Sequence, residues 1–228
     1  KIQIGTSVLL LPLHHPLPIA EDVATLEAVS GGRVALGVGI GYQDADLRAM
    51  GIEKKHRVGC FEEAIEILRK AWTGEPFTHK GHHFDIENVR VTPKPIQHPN
   101  PPIWIGAWVL AALERAGRLG DAVVMSPSWP LSESAAAAET YRKAALVAGN
   151  EPEIVMMRDA WVADSLEDAA RVYGPEVMDA YKYYWRKGAN AFHEFSSEDD
   201  FQFERIWKDR IITGAPETCV AEFKRWSE

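Results

Sequence analysis

Cysteine is nearly missing: the 228 residues hold only Cys60 and Cys219. A pair so far apart implies no disulfide framework, and a reducing cytoplasm is the simple expectation. Concentrated positive charge is missing as well. The formal net charge is −8, with Lys and Arg scattered among Asp and Glu. Nucleic acid and anionic lipid, which both need a basic surface, are therefore not expected partners. No apolar run reaches the ~18 residues that suggest a membrane span. The run at 8–11 is cut by Pro12, His14, His15 and Pro16. No signal peptide is visible and no initiator Met is present; the chain opens directly in strand-like sequence and reads as a fragment or a processed chain.

Several catalytic signatures are absent too. There is no Gly-x-Ser-x-Gly nucleophile elbow and no Gly-x-x-x-x-Gly-Lys-Ser/Thr phosphate loop. Leu36-Gly37-Val38-Gly39-Ile40-Gly41-Tyr42 looks at first like a dinucleotide fingerprint, Gly-x-Gly-x-x-Gly. From Gly37 the third position falls on Tyr42, and from Gly39 on Asp44, so the fingerprint fails in both registers.

What remains is an alternation of short apolar runs with helical patterns. Strands are expected at 2–11, 34–40, 103–106, 122–125 and 154–162. Their continuous apolar character suits parallel strands covered on both faces. Between them, 19–29 carries Ile19, Val23, Leu26 and Val29 on one helical face, and 61–72 carries Phe61, Ala64, Ile65, Leu68 and Trp72. Helices are also expected at 110–119 and 132–148, and Asp164 or Ser165 caps another. Such an order implies a parallel α/β sheet, either open and doubly wound or closed as a barrel. Two stretches break the rhythm. Residues 77–102, with Gly81 and five prolines, read as a hairpin and surface loop; 188–210, acidic and aromatic, read as a lid or interface.

Glycines at the end of the 34–40 strand let backbone approach a ligand and present free N–H groups, although a tightly packed strand end explains them equally well. Gly106-Ala107 closes a strand before a helix, a potential anion site, while Gly120-Asp121 lies at the opposite strand end and reads as a turn. His14 and His15 follow a strand end. Arg57, near a helix start, is a candidate for an anionic group. His79, His82 and His83 are expected to be solvated in the hairpin, and no metal site is expected.

Taken in order, these segments resemble the luciferase-like monooxygenase superfamily. The resemblance rests on Ile4-Gly5-Thr6-Ser7-Val8-Leu9-Leu10-Leu11-Pro12, His15-Pro16, Ser30-Gly31-Gly32-Arg33, Leu36 through Tyr42, Leu68 through Trp72-Thr73-Gly74, Pro93-Lys94-Pro95-Ile96-Gln97, Pro101 through Gly106, and Ala112 through Asp121. It is close over 1–126 and follows layout alone beyond. It implies a TIM (β/α)8 barrel, with this chain a single domain incomplete at both ends that shows the third to seventh strands. It also implies a flavin- or F420-dependent oxidoreductase acting on a small organic substrate, of monooxygenase or hydride-transfer type, with FMN or F420 as cofactor. A homodimer is implied by analogy. By the same resemblance Ser7 and Val8 form a cis peptide beside the ring, Gly39, Ile40, Gly41 and Tyr42 border it, Gly106 and Ala107 hold the cofactor tail, and Arg57 meets its phosphate. His14 is the acid–base candidate. Ala107 stands where the family has a second Gly, and the Trp108 after it departs from the family's usual small polar residues. Two further readings stay open: a non-catalytic flavin-binding or heteromer subunit, and a metal-dependent barrel hydrolase.

Overall fold

The computed structural model describes residues 2–227. In chain order its elements are β1 (Ile4–Gly5), β2 (Leu9–Leu10), α1 (Pro16–Ser30), β3 (Val34–Gly39), α2 (Asp44–Ala49), α3 (Arg57–Ala71), β4 (Phe77–Lys80) and β5 (Asp85–Val89). There follow β6 (Ile103–Gly106), α4 (Leu110–Leu119), β7 (Ala122–Met125), α5 (Leu131–Ala148), β8 (Glu153–Met156), β9 (Asp159–Val162), α6 (Leu166–Val172), α7 (Gly174–Arg186), α8 (Phe203–Ile206), β10 (Ile211–Gly214) and α9 (Pro216–Ser227).

The main sheet is parallel and sequential: β1 and β2 both pair with β3, then β6, β7 and β8 follow in chain order. A doubly wound sheet reverses direction at a switch point; this one does not, which is barrel order. The curl is visible in one contact. Ser7, between β1 and β2, donates its hydroxyl to the Met157 sulfur just after β8 at 3.3 Å. Four strand spacings of about 4.8 Å would hold them roughly 19 Å apart in a flat sheet. The fold is thus α/β with a parallel sheet curled as in part of a TIM barrel.

All five strands read from the sequence are present, two of them broken. The run 154–162 splits into β8, which pairs with β7, and β9, which pairs in parallel with β10. The sequence reading left out β10, a four-residue strand at the end of the acidic aromatic stretch. Alternation divides the sheet's faces. Val34, Leu36, Val38, Ile103, Ile105, Val123 and Met125 join the helix-side core with Phe61, Ile65, Leu68, Trp72 and Tyr141. The opposite face carries Ala35, Gly37, Gly39, Trp104, Gly106, Ala122 and Val124, mostly small.

Helix α1 corrects the expected apolar face. Its buried residues are Pro16, Ala20, Val23, Ala24 and Glu27, while Leu26 is 55% and Val29 82% exposed. The wheel is turned by about one residue because Glu27 is needed inside. Its carboxylate accepts the Val34 N–H at 2.8 Å and the Gln97 backbone and side-chain N–H groups at 3.2 and 2.8 Å. A buried carboxylate is tolerable when donors converge on it. Asp121 does similar work for β6, accepting the Ile103 N–H at 2.7 Å and Arg69 at 3.1 Å. Glu27→Ala is expected to cost roughly 3 kcal/mol in urea unfolding by leaving those donors unsatisfied. Leu26→Ala should change stability by no more than about 0.5 kcal/mol. Equal effects of the two would refute this assignment of the buried face.

Candidate active site

The centre of the site is a register slip in the first strand. Gly5 pairs with Ala35 and Leu9 with Val38, so three residues, Thr6, Ser7 and Val8, face only two, Leu36 and Gly37. One residue is extra, which makes a bulge, and the Ser7-Val8 peptide within it is cis. Thr6 folds back to donate its hydroxyl to the Gly37 carbonyl at 2.6 Å. The glycines of β3 answer the bulge one by one. A Cβ at Gly37 would overlap the Thr6 carbonyl oxygen. A Cβ at Gly39 would lie 2.8 Å from Val8 Cγ2, and one at Gly106 would lie 3.3 Å from Val8 Cγ1. Val8 therefore sits in a notch that two glycines on neighbouring strands leave open. Ser7 is exposed beside it.

These positions lie at the C-terminal ends of the strands, where (β/α) barrels place their chemistry. Ser7, Val8, Gly39, Ile40, Gly41 and Gly106 are brought together there. Gly41 turns the chain away with φ +71°. Tyr42 follows, its ring 5.8 Å from that of Trp108. The Tyr42 hydroxyl is buried with no hydrogen-bond partner, as is the Trp104 indole N–H. Burial, then Tyr184 and Tyr183, push the Tyr42 hydroxyl above its usual range.

The remaining expected residues are placed less directly. The Ala107 N–H bonds to the Val124 carbonyl at 3.4 Å, so it continues the sheet and does not face an anion. Arg57 opens α3, donates to the Lys54 carbonyl at 3.1 Å and keeps its Nε buried without a partner. His14 is exposed after the short turn at Leu11–Leu13. His15 caps α1, its Nδ1 accepting the Leu17 N–H at 3.3 Å, which leaves the ring proton on Nε2.

Sequence reasoning missed two arginines that fix the loop after β7. Arg158 donates to the Ser126 and Pro127 carbonyls at 3.1 and 2.6 Å and to the Ser134 hydroxyl at 2.6 Å. It lies 3.6 Å from the centre of the Trp226 ring, and burial lowers its pKa to about 10. Arg210 donates to the Ser128 carbonyl at 2.7 Å and pairs with Glu194. Both lie in a stretch weakly related to the family pattern, where a lone Arg gives no signal. Through Arg210 the segment at 188–210 is tied to the strand ends, and its Phe192, Phe195 and Phe201 pack on one another and on Tyr181 and Trp185. A cavity of about 630 Å³, lined by Met156, Arg158, Ile212 and Trp226, opens where pairing passes from β8 to β9. It is separate from the Val8 notch.

The histidine-rich stretch forms the antiparallel hairpin β4–β5. His79, expected to be solvated, is only 5% exposed. Strand alternation turns Phe77 and His79 inward, and His79 Nε2 lies 3.4 Å from Glu63 on α3. His82 and His83 sit at the hairpin turn.

A sequential parallel sheet, a bulge on its first strand and glycines beneath that bulge constitute the geometry to be compared. A family profile described as luciferase-like monooxygenase matches residues 1–228. The chain belongs to the luciferase-like monooxygenase family. Within this family it is 28% identical over 245 residues to the F420-dependent glucose-6-phosphate dehydrogenase of Segniliparus rotundus, covering 100% of this chain and 70% of that protein. It is 27% identical over 200 residues to the oxygenase component of the flavin-dependent trigonelline monooxygenase of Acinetobacter baylyi, covering 85% and 55%. The crystal structure of the monooxygenase RslO1 from Streptomyces bottropensis superposes with a TM-score of 0.80 at 25% identity, over 99% of this chain and 68% of that one. The chain spans 31% and 34% of the length of two further curated relatives, both from Sinorhizobium fredii. No helix among the described residues is long and apolar enough to cross a membrane.

Two expectations follow from this luciferase-like site. Gly37→Ala should lower the thermal midpoint by about 4 °C or more, because a backbone oxygen occupies the space of the new methyl; an unchanged melt would disprove the fit of bulge to glycine. The second concerns Asp159, which accepts the Tyr181 hydroxyl at 2.8 Å. Burial raises its pKa, against the opposing effects of Tyr181 and Arg158. The folded state thus holds this proton more tightly than the unfolded chain, and stability is lost as pH rises through the raised value. Asp159→Asn should gain on the wild type as pH climbs from about 4 towards neutrality, read by urea unfolding at each pH. A pH-independent difference would contradict the burial effect.

Proposed function

We propose that the chain carries the cofactor bed of a flavin- or F420-dependent oxidoreductase, of monooxygenase or hydride-transfer type, acting on a small organic substrate in the cytoplasm. The observation that carries the proposal is the seating of Val8 over Gly39 and Gly106 at the strand ends. It gives an apolar floor in which Val8 is partly exposed, with Ser7 exposed beside it. A flat tricyclic ring matches such a floor. The glycines serve the ring through Val8, whose side chain lies between them and the mouth. The residues present fit the group: Ile40 and Gly41 border the floor, and the unpartnered Tyr42 hydroxyl and Arg57 Nε are unspent donors for polar atoms of the cofactor. Arg57 is assigned to its phosphate, and His14 to proton transfer by its place after the first strand. A bound flavin supplies two-electron chemistry and oxygen activation, whereas a deazaflavin supplies hydride transfer alone. The protein's part is to orient the ring, exclude water from its face and admit substrate. The two functionally named relatives divide between these chemistries, and the proposal leaves both cofactors in place. A homodimer is part of the same reading.

A second reading, a flavin-binding subunit without turnover, draws on Ala107, whose N–H is spent on the sheet. The test is titration of the full protein with FMN and with F420, followed by absorbance and fluorescence. Saturable binding of one is expected, weakened roughly tenfold or more by Ser7→Trp with an unchanged melt. No binding of either would overturn the proposal; binding with no turnover on a broad panel of small oxidisable substrates would favour the second reading.

A further inference from the structure

The fold gathers three histidines that the proposed flavin site does not use. His56 ends the turn before α3, while His82 and His83 lie at the tip of the β4–β5 hairpin. Each offers a ring nitrogen, and these nitrogens lie within 4.8 Å of one another. The rings meet at centroid distances of 4.8 Å for His82–His83, 5.4 Å for His56–His83 and 6.3 Å for His56–His82.

The surroundings hold the hairpin tip in place. Glu63, nearly two turns into α3, accepts the backbone N–H groups of His82 at 2.9 Å, His83 at 3.0 Å and Phe84 at 3.2 Å. A Cβ at Gly81 would collide with that carboxylate, and a Cβ at Gly59 would collide with the His83 ring. Two glycines thus make room, one for the carboxylate and one for the imidazole. Glu63 spends its oxygens on the turn and on His79, so the cluster itself is all nitrogen. His56 and His83 are half-buried and His82 is exposed, which leaves a side open to solvent.

We infer that His56, His82 and His83 bind a divalent transition-metal ion of the zinc, nickel or copper class. Neutral imidazoles suit such ions and do not suit magnesium or calcium. Three nitrogens at about 2.0–2.1 Å, with water in the open position, make a tetrahedral site. Reaching it draws the rings together by an ångström or so from their present spread. None of the three ligands comes from a strand end, so the ion is a clip between hairpin and helix. It closes the loop from 56 to 82 and stabilises the folded chain by mass action.

The experiment uses the full protein, stripped with EDTA and titrated with Co2+ and Zn2+. One equivalent of Co2+ should produce visible ligand-field bands that Zn2+ displaces, and Zn2+ should raise the thermal midpoint. His82→Ala, at an exposed position, should weaken binding about tenfold or more and abolish the thermal shift while leaving the metal-free melt unchanged. His83→Gln should do the same. His98→Ala should leave binding intact. A second group, Glu133, His193 and Glu194, is the rival location. Loss of binding in His193→Ala with retention in His82→Ala would overturn the assignment, as would the absence of any stoichiometric binding.

Discussion

One extra residue in the first strand organises the packing at the C-terminal end of the sheet. A strand cannot hold three residues opposite two without expelling backbone and side chain sideways. Here the expelled parts are the Thr6 carbonyl and the Val8 side chain, and both are driven towards the neighbouring strands. They are accommodated only where those strands carry no Cβ, at Gly37, Gly39 and Gly106. The glycine-rich run in β3 and the glycine ending β6 are therefore two halves of one packing solution. Gly106, though 67 residues from Gly39, answers to the same valine.

This constraint explains why the dinucleotide fingerprint fails while the glycines remain. In a Rossmann turn the glycines face a pyrophosphate. In this chain they face the chain itself, at Thr6 and Val8. The loop after β7 is secured differently, by Arg158 and Arg210, whose guanidinium groups satisfy three consecutive carbonyls, those of Ser126, Pro127 and Ser128. Glycines thus accommodate the bulge, and guanidinium groups hold the loop after β7.

The same economy recurs elsewhere in the fold. Glu27 joins α1 to the start of β3 and to Gln97, Asp121 joins α3 to β6, and Glu63 joins α3 to the hairpin tip. Each is a carboxylate with more than one donor, at least one of them a backbone N–H that no strand or helix satisfies. Such groups must be paired when buried, and long irregular connections such as 77–102 generate many of them.

The strands of the main sheet and the helices α1, α3, α4, α5 and α6 were legible in the sequence, because apolar periodicity and capping are local properties that any packed version of this chain must respect; the bulge-bearing segment was legible only through the resemblance. The resemblance carried by the motifs over 1–126 supplied the family. The phase of α1 was not legible: a helical wheel ranks Leu26 above Glu27, and only the unsatisfied N–H groups of Val34 and Gln97 reverse that order. Nor was β10, too short to stand out beside its acidic neighbours, nor the meeting of His56 with His82 and His83. Pairings across tens of residues depend on which surfaces the curled sheet brings into contact. Sequence thus determined the elements and the chemistry available on each; tertiary structure decided which side chains face one another, because contact is a property of the closed shape and not of spacing along the chain.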